Sequence, residues 1–243
     1  MPRNRIPFMQ RLMADNPTRS QIRVEAAADE ATIYVYDVID DYWGISAKAF
    51  AEAMTAAAGK TVNLRINSPG GDVMAARAMV TAVRGHDGKV IAHIDGLAAS
   101  AASFLALSAS EVRMTQGAFL MIHQAWTISM GNAADLREMA DLLDKIDASI
   151  VADYQRKTGK SVEQIQQWMS DETWFSADEA KAEGFVDAVI DGAPAQNHWN
   201  LAAYDKAPAA AKVPPPTNTI DTQLEAARAL AERRLTLLEK CPA

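Results

Sequence analysis

TVNLRINSPGGDVMAARAMVTAVRGHDGKVIAHIDGLAASAASFLALSA, residues 61–109, is the stretch that decides the fold. TVNLRI (61–66) alternates apolar and polar residues, the pattern of a half-buried strand. It stops at Asn67, Ser68, Pro69, Gly70 and Gly71, a strong turn signal. DVMAARAMVTAV (72–83) then reads as helix, KVIAHI (89–94) as strand, and AASAASFLALSA (98–109) as a helix of small residues. Strand and helix alternating in this order predict βαβ units, and so a largely parallel sheet with helical crossovers. In such folds the chemistry gathers where strand ends meet helix starts.

The same pattern extends both ways. Upstream, ATIYVYDV (31–38) alternates as a strand, and SAKAFAEAMTAAA (46–58) is an Ala-rich helix with Ser46 at its N-cap. Residues 1–30 are polar, charged and without sustained periodicity, and read as an N-terminal arm. Downstream, EVRM (111–114) and FLMIH (119–123) are short strands around Gln116 and Gly117, where an antiparallel pair is allowed. A long helix spans about 132–157, and another lies near 162–169. Ser176 and Glu179 form a capping-box start for a short helix that stops at Gly184. FVDAVI (185–190) closes a domain covering 31–191. After Asp191 the composition turns to Ala and Pro, so 192–217 reads as an extended linker. Residues 218–243 carry a charged helix with a weak apolar stripe, suited to an oligomer or partner contact or to a frayed tail.

Composition narrows the function. The chain has 243 residues, of which 49% are hydrophobic, as in an ordinary globular protein. A net charge of -7 argues against a nucleic-acid or anionic-membrane partner, because phosphate binding needs a basic face. No apolar run reaches the ~18–20 residues of a membrane helix, and the start is too broken for a signal peptide. Cys241 is the single cysteine, so neither an internal disulfide nor a cysteine metal cluster is expected, in keeping with a cytoplasmic protein.

Three features converge on one chemistry. Gly70 and Gly71 follow a strand, where amides can face a ligand without side-chain obstruction and hold an oxyanion. Alone, an ordinary turn explains them equally well. Ser100 sits between a strand and a helix, among small residues that let a carbonyl approach, at the positive end of the helix. Alone, it would be a helix cap, and Ser103 one turn on is structural. His123 ends the apolar strand FLMI, placed to project into a cleft; alone, a single histidine is more often structural. His86, His93 and His198 take structural or solvent readings.

Taken together, INSPGGDV, GLAASAASFLALSA and FLMIHQA resemble the ClpP family of serine peptidases, and WFSADEAKAEGFVDAVI extends the resemblance over residues 31–191. The wording of MIHQAWTISMGNAADL and DETWFSADEA is most similar to the ClpP-related peptidases of phages and prophages that act in head maturation. The resemblance implies a ClpP/crotonase-like α/β fold, Ser100 as nucleophile in AAS and His123 as general base in MIHQ. It also implies the backbone amides of Gly71 and Ala101 as oxyanion hole. For the third member the family has an aspartate two residues before the aromatic of the WFSADEA motif. Counting back from Phe175 gives Thr173, whereas chemistry favours Asp171, a carboxylate that can steady an imidazolium; Glu172 lies between them. The family further implies a homo-oligomeric ring, with the 132–157 helix in ring-to-ring contact, and polypeptide substrates such as phage scaffold or capsid proteins. No metal or organic cofactor is implied. With no GxxxxGK[ST] motif, any unfolding power would come from a separate AAA+ ATPase. Three rival readings stand: a catalytically impaired ring or capsid component, a crotonase-fold acyl-CoA enzyme, and a Ser–Lys signal-peptide-peptidase-like enzyme.

Overall fold

The computed structural model describes residues 22–192, 201 and 204–208. The larger part of the arm, His198, Cys241 and the C-terminal helix expected in 218–243 lie outside the described residues.

The protein is a mixed α/β domain on an eight-stranded, mostly parallel sheet. Strand β1 (Arg23–Ala26) runs antiparallel to β2 (Glu30–Val35). Then β3 (Thr61–Ser68), β4 (Val90–Ala99), β5 (Glu111–Thr115) and β8 (Ala188–Ile190) follow β2 in parallel. Helices α1 (Ala47–Ala56), α2 (Val73–Arg84) and α3 (Ala101–Ala106) are the crossovers. Each of the first two begins where the sequence places a cap. Ser46 accepts from the Ala49 amide, and Asp72 from the Ala75 amide at 2.6 Å, satisfying N–H groups the helix cannot. Buried residues Phe50, Ala53 and Met54 on α1, and Ala75, Ala76, Met79, Val80 and Val83 on α2, recur at helical spacing and seal the main core.

Strand β4 is buried along its whole length, as a central parallel strand must be. It splits its neighbours. Ile91–Ile94 pairs with β5, while Leu97–Ala99 pairs with β6 (Phe119–Ile122). The two short strands around Gln116 therefore form no hairpin with each other; both run parallel to β4, one after the other. The antiparallel partner of β6 is β7 (Thr173–Ser176), which the sequence pattern does not reveal because four residues are too few to show a period. Likewise β1 lies within the stretch read as an arm, and all four of its residues are exposed.

Helix α4 (Ala133–Thr158) opens on a full capping box, Asn132 with Asp135, and closes on left-handed Gly159. Its fully buried residues are Ile150, Val151, Asp153 and Tyr154 in the last turns; Ile146 packs against the core, and the first turns are mostly exposed. Helices α5 (Val162–Ser170) and α6 (Ala177–Ala182) complete the domain, α6 with the expected capping box of Ser176 and Glu179. Among the described residues no helix is long and apolar enough to cross a membrane.

The sheet packs on both faces near its C-terminal edge. Ala98, Leu120 and Ile122 join the main core, whereas Leu97, Ala99 and Met121 point the other way, as strand alternation requires. There Leu201, Tyr204 and Ala207 cover them. This part of the stretch read as an extended linker thus lies packed on the domain, because its apolar side chains find an apolar floor.

Candidate active site

Sheet register alone brings three chain segments to one point. Ser68 pairs with Ala98 and Ala99 pairs with Met121. The strand ends at Ser68, Ala99 and Ile122 therefore lie side by side, and each opens into its own turn: the glycine turn, Ser100 and His123.

Ser100 occupies the N-cap position of α3 without acting as a cap. Its backbone stands at φ 53° and ψ -123°, a conformation L-residues adopt only under constraint. The Ser100 amide binds the Met121 carbonyl at 2.9 Å, and the six residues of α3 behind it are all buried. That packing holds the turn, and the turn directs the side chain away from the helix. Ser100 Oγ lies 2.7 Å from His123 Nε2. His123 is 7% exposed, and its ring meets the Tyr204 ring edge to face at 5.9 Å. A serine hydroxyl donating to an imidazole nitrogen at this distance is the arrangement that makes an alcohol a nucleophile.

The glycine turn closes the site from the other side. Gly70 has φ 91°, and a Cβ there would lie 2.5 Å from the Ala99 carbonyl oxygen and 2.8 Å from Ser100 Cβ. Only glycine lets the two turns approach this closely. Ser68 Oγ pins the turn, accepting from the Gly70 amide at 3.2 Å and donating to the Asp37 carbonyl at 2.7 Å. A parallel bridge to Ile39 uses the Gly70 carbonyl and the Asp72 amide. The Gly71 amide takes no part in that bridge. Ala101 opens α3 directly after Ser100.

The two sequence candidates for the third member are placed elsewhere. Asp171 accepts from Gln167 Nε2 at 2.6 Å and pairs with Lys206 Nζ at 3.5 Å. The Gln167 hydrogen bond, helped by the Lys206 charge, draws its carboxyl below the usual range although desolvation opposes it. Thr173 donates its hydroxyl to the Trp168 carbonyl at 2.7 Å. Neither hydrogen-bonds the imidazole. Between them, Glu172 is 3% exposed at φ 52°, and its Oε1 accepts from the Lys206 amide at 2.8 Å.

The remaining sequence-singled residues are structural. Ser103 donates to the Ser100 carbonyl and shares a 2.6 Å hydrogen bond with the Tyr154 hydroxyl. His86 Nε2 lies 2.9 Å from the Lys60 carbonyl, and His93 Nε2 lies 3.2 Å from Asn63 Oδ1. Burial, with the Arg65 charge nearby, lowers the pKa of His93. Tyr204 was not singled out by sequence. Its one signal is an aromatic among Ala and Pro, and only the fold shows where that ring lands.

Comparison with known proteins bears on the family of the chain. A family model described as Clp protease matches residues 16–193. The ATP-dependent Clp protease proteolytic subunit 1 of Protochlamydia amoebophila is 32% identical over 181 residues, covering 72% of this chain and 87% of that protein. Subunit 1 of Chlamydia abortus is 36% identical over 136 residues, 54% of this chain and 71% of that protein. Subunit 3 of Rhodococcus jostii is 30% identical over 166 residues, 66% of this chain and 81% of that protein.

Proposed function

Because the chain belongs to the Clp protease family and is a serine-type peptidase, we propose that Ser100 is its nucleophile and His123 its general base. The observation that carries this assignment is the 2.7 Å approach of Ser100 Oγ to His123 Nε2 from a backbone held at positive φ. As Oγ attacks a peptide carbonyl, His123 takes its proton. The Gly71 and Ala101 amides receive the oxyanion of the tetrahedral intermediate. His123 then protonates the leaving amine as the C–N bond breaks, and water, deprotonated by the same imidazole, hydrolyses the acyl-enzyme. None of these steps calls for a metal or organic cofactor. Asp171 would serve as the third member only after leaving Gln167 and Lys206, a rearrangement of the turn at Glu172.

The substrates are polypeptides, and the working form is a homo-oligomeric ring with α4 in the contact between rings. A chamber of that kind confines an unselective site and spares folded proteins. Folded substrates would need a separate AAA+ ATPase, whereas an accessible scaffold protein would not. The role that best fits the phage-like wording around His123 and Trp174 is head maturation, carried out in the host cytoplasm or the prohead on scaffold or capsid proteins.

The test is a fluorophosphonate probe, which phosphonylates an activated serine with loss of fluoride, followed by mass-spectrometric mapping. Labelling at Ser100 that vanishes in Ser100→Ala and His123→Ala supports the assignment. A folded, assembled wild type that resists the probe overturns it and favours the non-catalytic ring component.

A further inference from the structure

Leu201, Tyr204 and Ala207 are 1%, 5% and 6% exposed, although they lie beyond the last strand of the domain. Their spacing of three gives the segment one apolar face, while Asp205 and Lys206 between them stay exposed. That face rests on Leu97, Ala99 and Met121, beside Trp174. The floor belongs to the same strand ends that carry Ser100 and His123. An apolar floor against a nucleophile is where a substrate side chain is held, and here the chain's own residues fill it. Tyr204 does so most directly. Its ring stands edge to face on His123 at 5.9 Å and on Trp174 at 5.5 Å, and its hydroxyl donates to the Pro69 carbonyl in the glycine turn at 2.7 Å.

A second contact comes from the next residues. The Lys206 amide donates to Glu172 Oε1, and Lys206 Nζ pairs with Asp171. One short segment thus packs on His123 beside Ser100 and also holds the acidic turn where the third member is expected.

We propose that Leu201 and residues 204–208 form an intramolecular strap that occupies the substrate cleft over Ser100 and His123, competes there with peptide, and keeps the acidic turn at Asp171 and Glu172 away from the imidazole. This rests on the reading of Ser100 and His123 as the peptidase pair. Release by assembly, partner binding or cleavage of the segment would open the site.

The experiment compares the full-length wild type with Leu201→Ala/Tyr204→Ala and with Tyr204→Phe, which keeps the ring and loses the bond to Pro69. Two rates are measured: fluorophosphonate labelling of Ser100, and cleavage of a short fluorogenic peptide with an aromatic residue before the scissile bond. If the strap blocks nine molecules in ten, the double variant gains about tenfold in kcat/KM, mainly through KM, because only the open fraction binds substrate. Tyr204→Phe gains less. A synthetic peptide of residues 198–208 added to the double variant inhibits it competitively. Equal labelling of Ser100 in wild type and in folded Tyr204→Phe and double variants overturns the strap and leaves the peptidase intact. No labelling of Ser100 in any of them overturns both.

Discussion

Ser100 sits at φ 53°, where a side chain is strained by about 1–3 kcal/mol. The buried α3 behind it and the bond from its amide to Met121 hold it there. Two predictions separate that strain from the chemistry. Ser100→Gly relieves the backbone and raises stability by about 1 kcal/mol, read as a higher melting temperature, while peptide cleavage is lost. Ser100→Ala keeps the strain and the fold, and turnover falls by about 10⁴-fold or more. The glycine turn answers in the opposite sense. Gly70→Ala places a methyl against the Ala99 carbonyl and Ser100 at positive φ, so the turns must separate. A misplacement of ~1 Å near reacting atoms costs about 100-fold in turnover, and a fluorogenic peptide assay beside a melting curve will register both effects. At this scale the glycine turn and the positions of Ser100 and His123 at strand ends are legible in the motif, since turn and strand-end signals are local. The surroundings of Asp171 are legible only in part: Gln167 lies one helical turn before it, whereas Lys206 reaches it from a separate part of the chain.

Among the elements, α4 is joined to α2 through one buried carboxylate. Asp153, 6% exposed, accepts from Arg77, from Arg84 at 2.7 Å and from Arg156 at 2.9 Å. Burial alone would push the Asp153 carboxyl up. The hydrogen bonds from Arg84 and Arg77 outweigh it and hold the group below the usual aspartate range. A carboxyl with a depressed folded pKa stabilises the fold fully above its unfolded value, near ~4, and that stability is lost as pH falls through the lower folded value. Asp153→Asn leaves three guanidinium groups facing a neutral amide. It should destabilise by about 3 kcal/mol in urea unfolding at pH 7, and by progressively less as acid protonates the wild-type carboxyl. The sequence reveals α4 itself, as a long helix over about 132–157. It does not reveal that α4 reaches α2, since Arg77 and Asp153 lie 76 residues apart. The same applies to β5 and β6: their closeness in sequence suggests a hairpin, and the length of β4 gives each of them half a strand to pair with instead.

For the whole molecule the exposed part of α4 is the informative feature. Leu136 and Leu142 are both 45% exposed, and Met130 before the helix is 93% exposed. Apolar side chains displayed on a projecting helix suit a contact between copies of the chain. Leu136→Glu/Leu142→Glu should leave the domain folded, with unchanged circular dichroism, and lower the assembled mass in light scattering. An unchanged mass would count against α4 as a contact between copies. The net charge of -7 is consistent with a partner that is neither nucleic acid nor an anionic surface.

What the sequence by itself determined are the features written over a few residues: strand and helix periods, the caps at Ser46 and Ser176, the glycine turn, and the serine and histidine at strand ends. Those signals are local, so they survive without the fold. What only the tertiary structure decided are the joins between distant segments: β4 shared by β5 and β6, β7 beside β6, Asp153 against Arg77 and Arg84, Asp171 on Lys206, and Tyr204 over His123. Each depends on sheet register and on which apolar surface is left to cover, and burial carries no trace of its partner in the sequence around it.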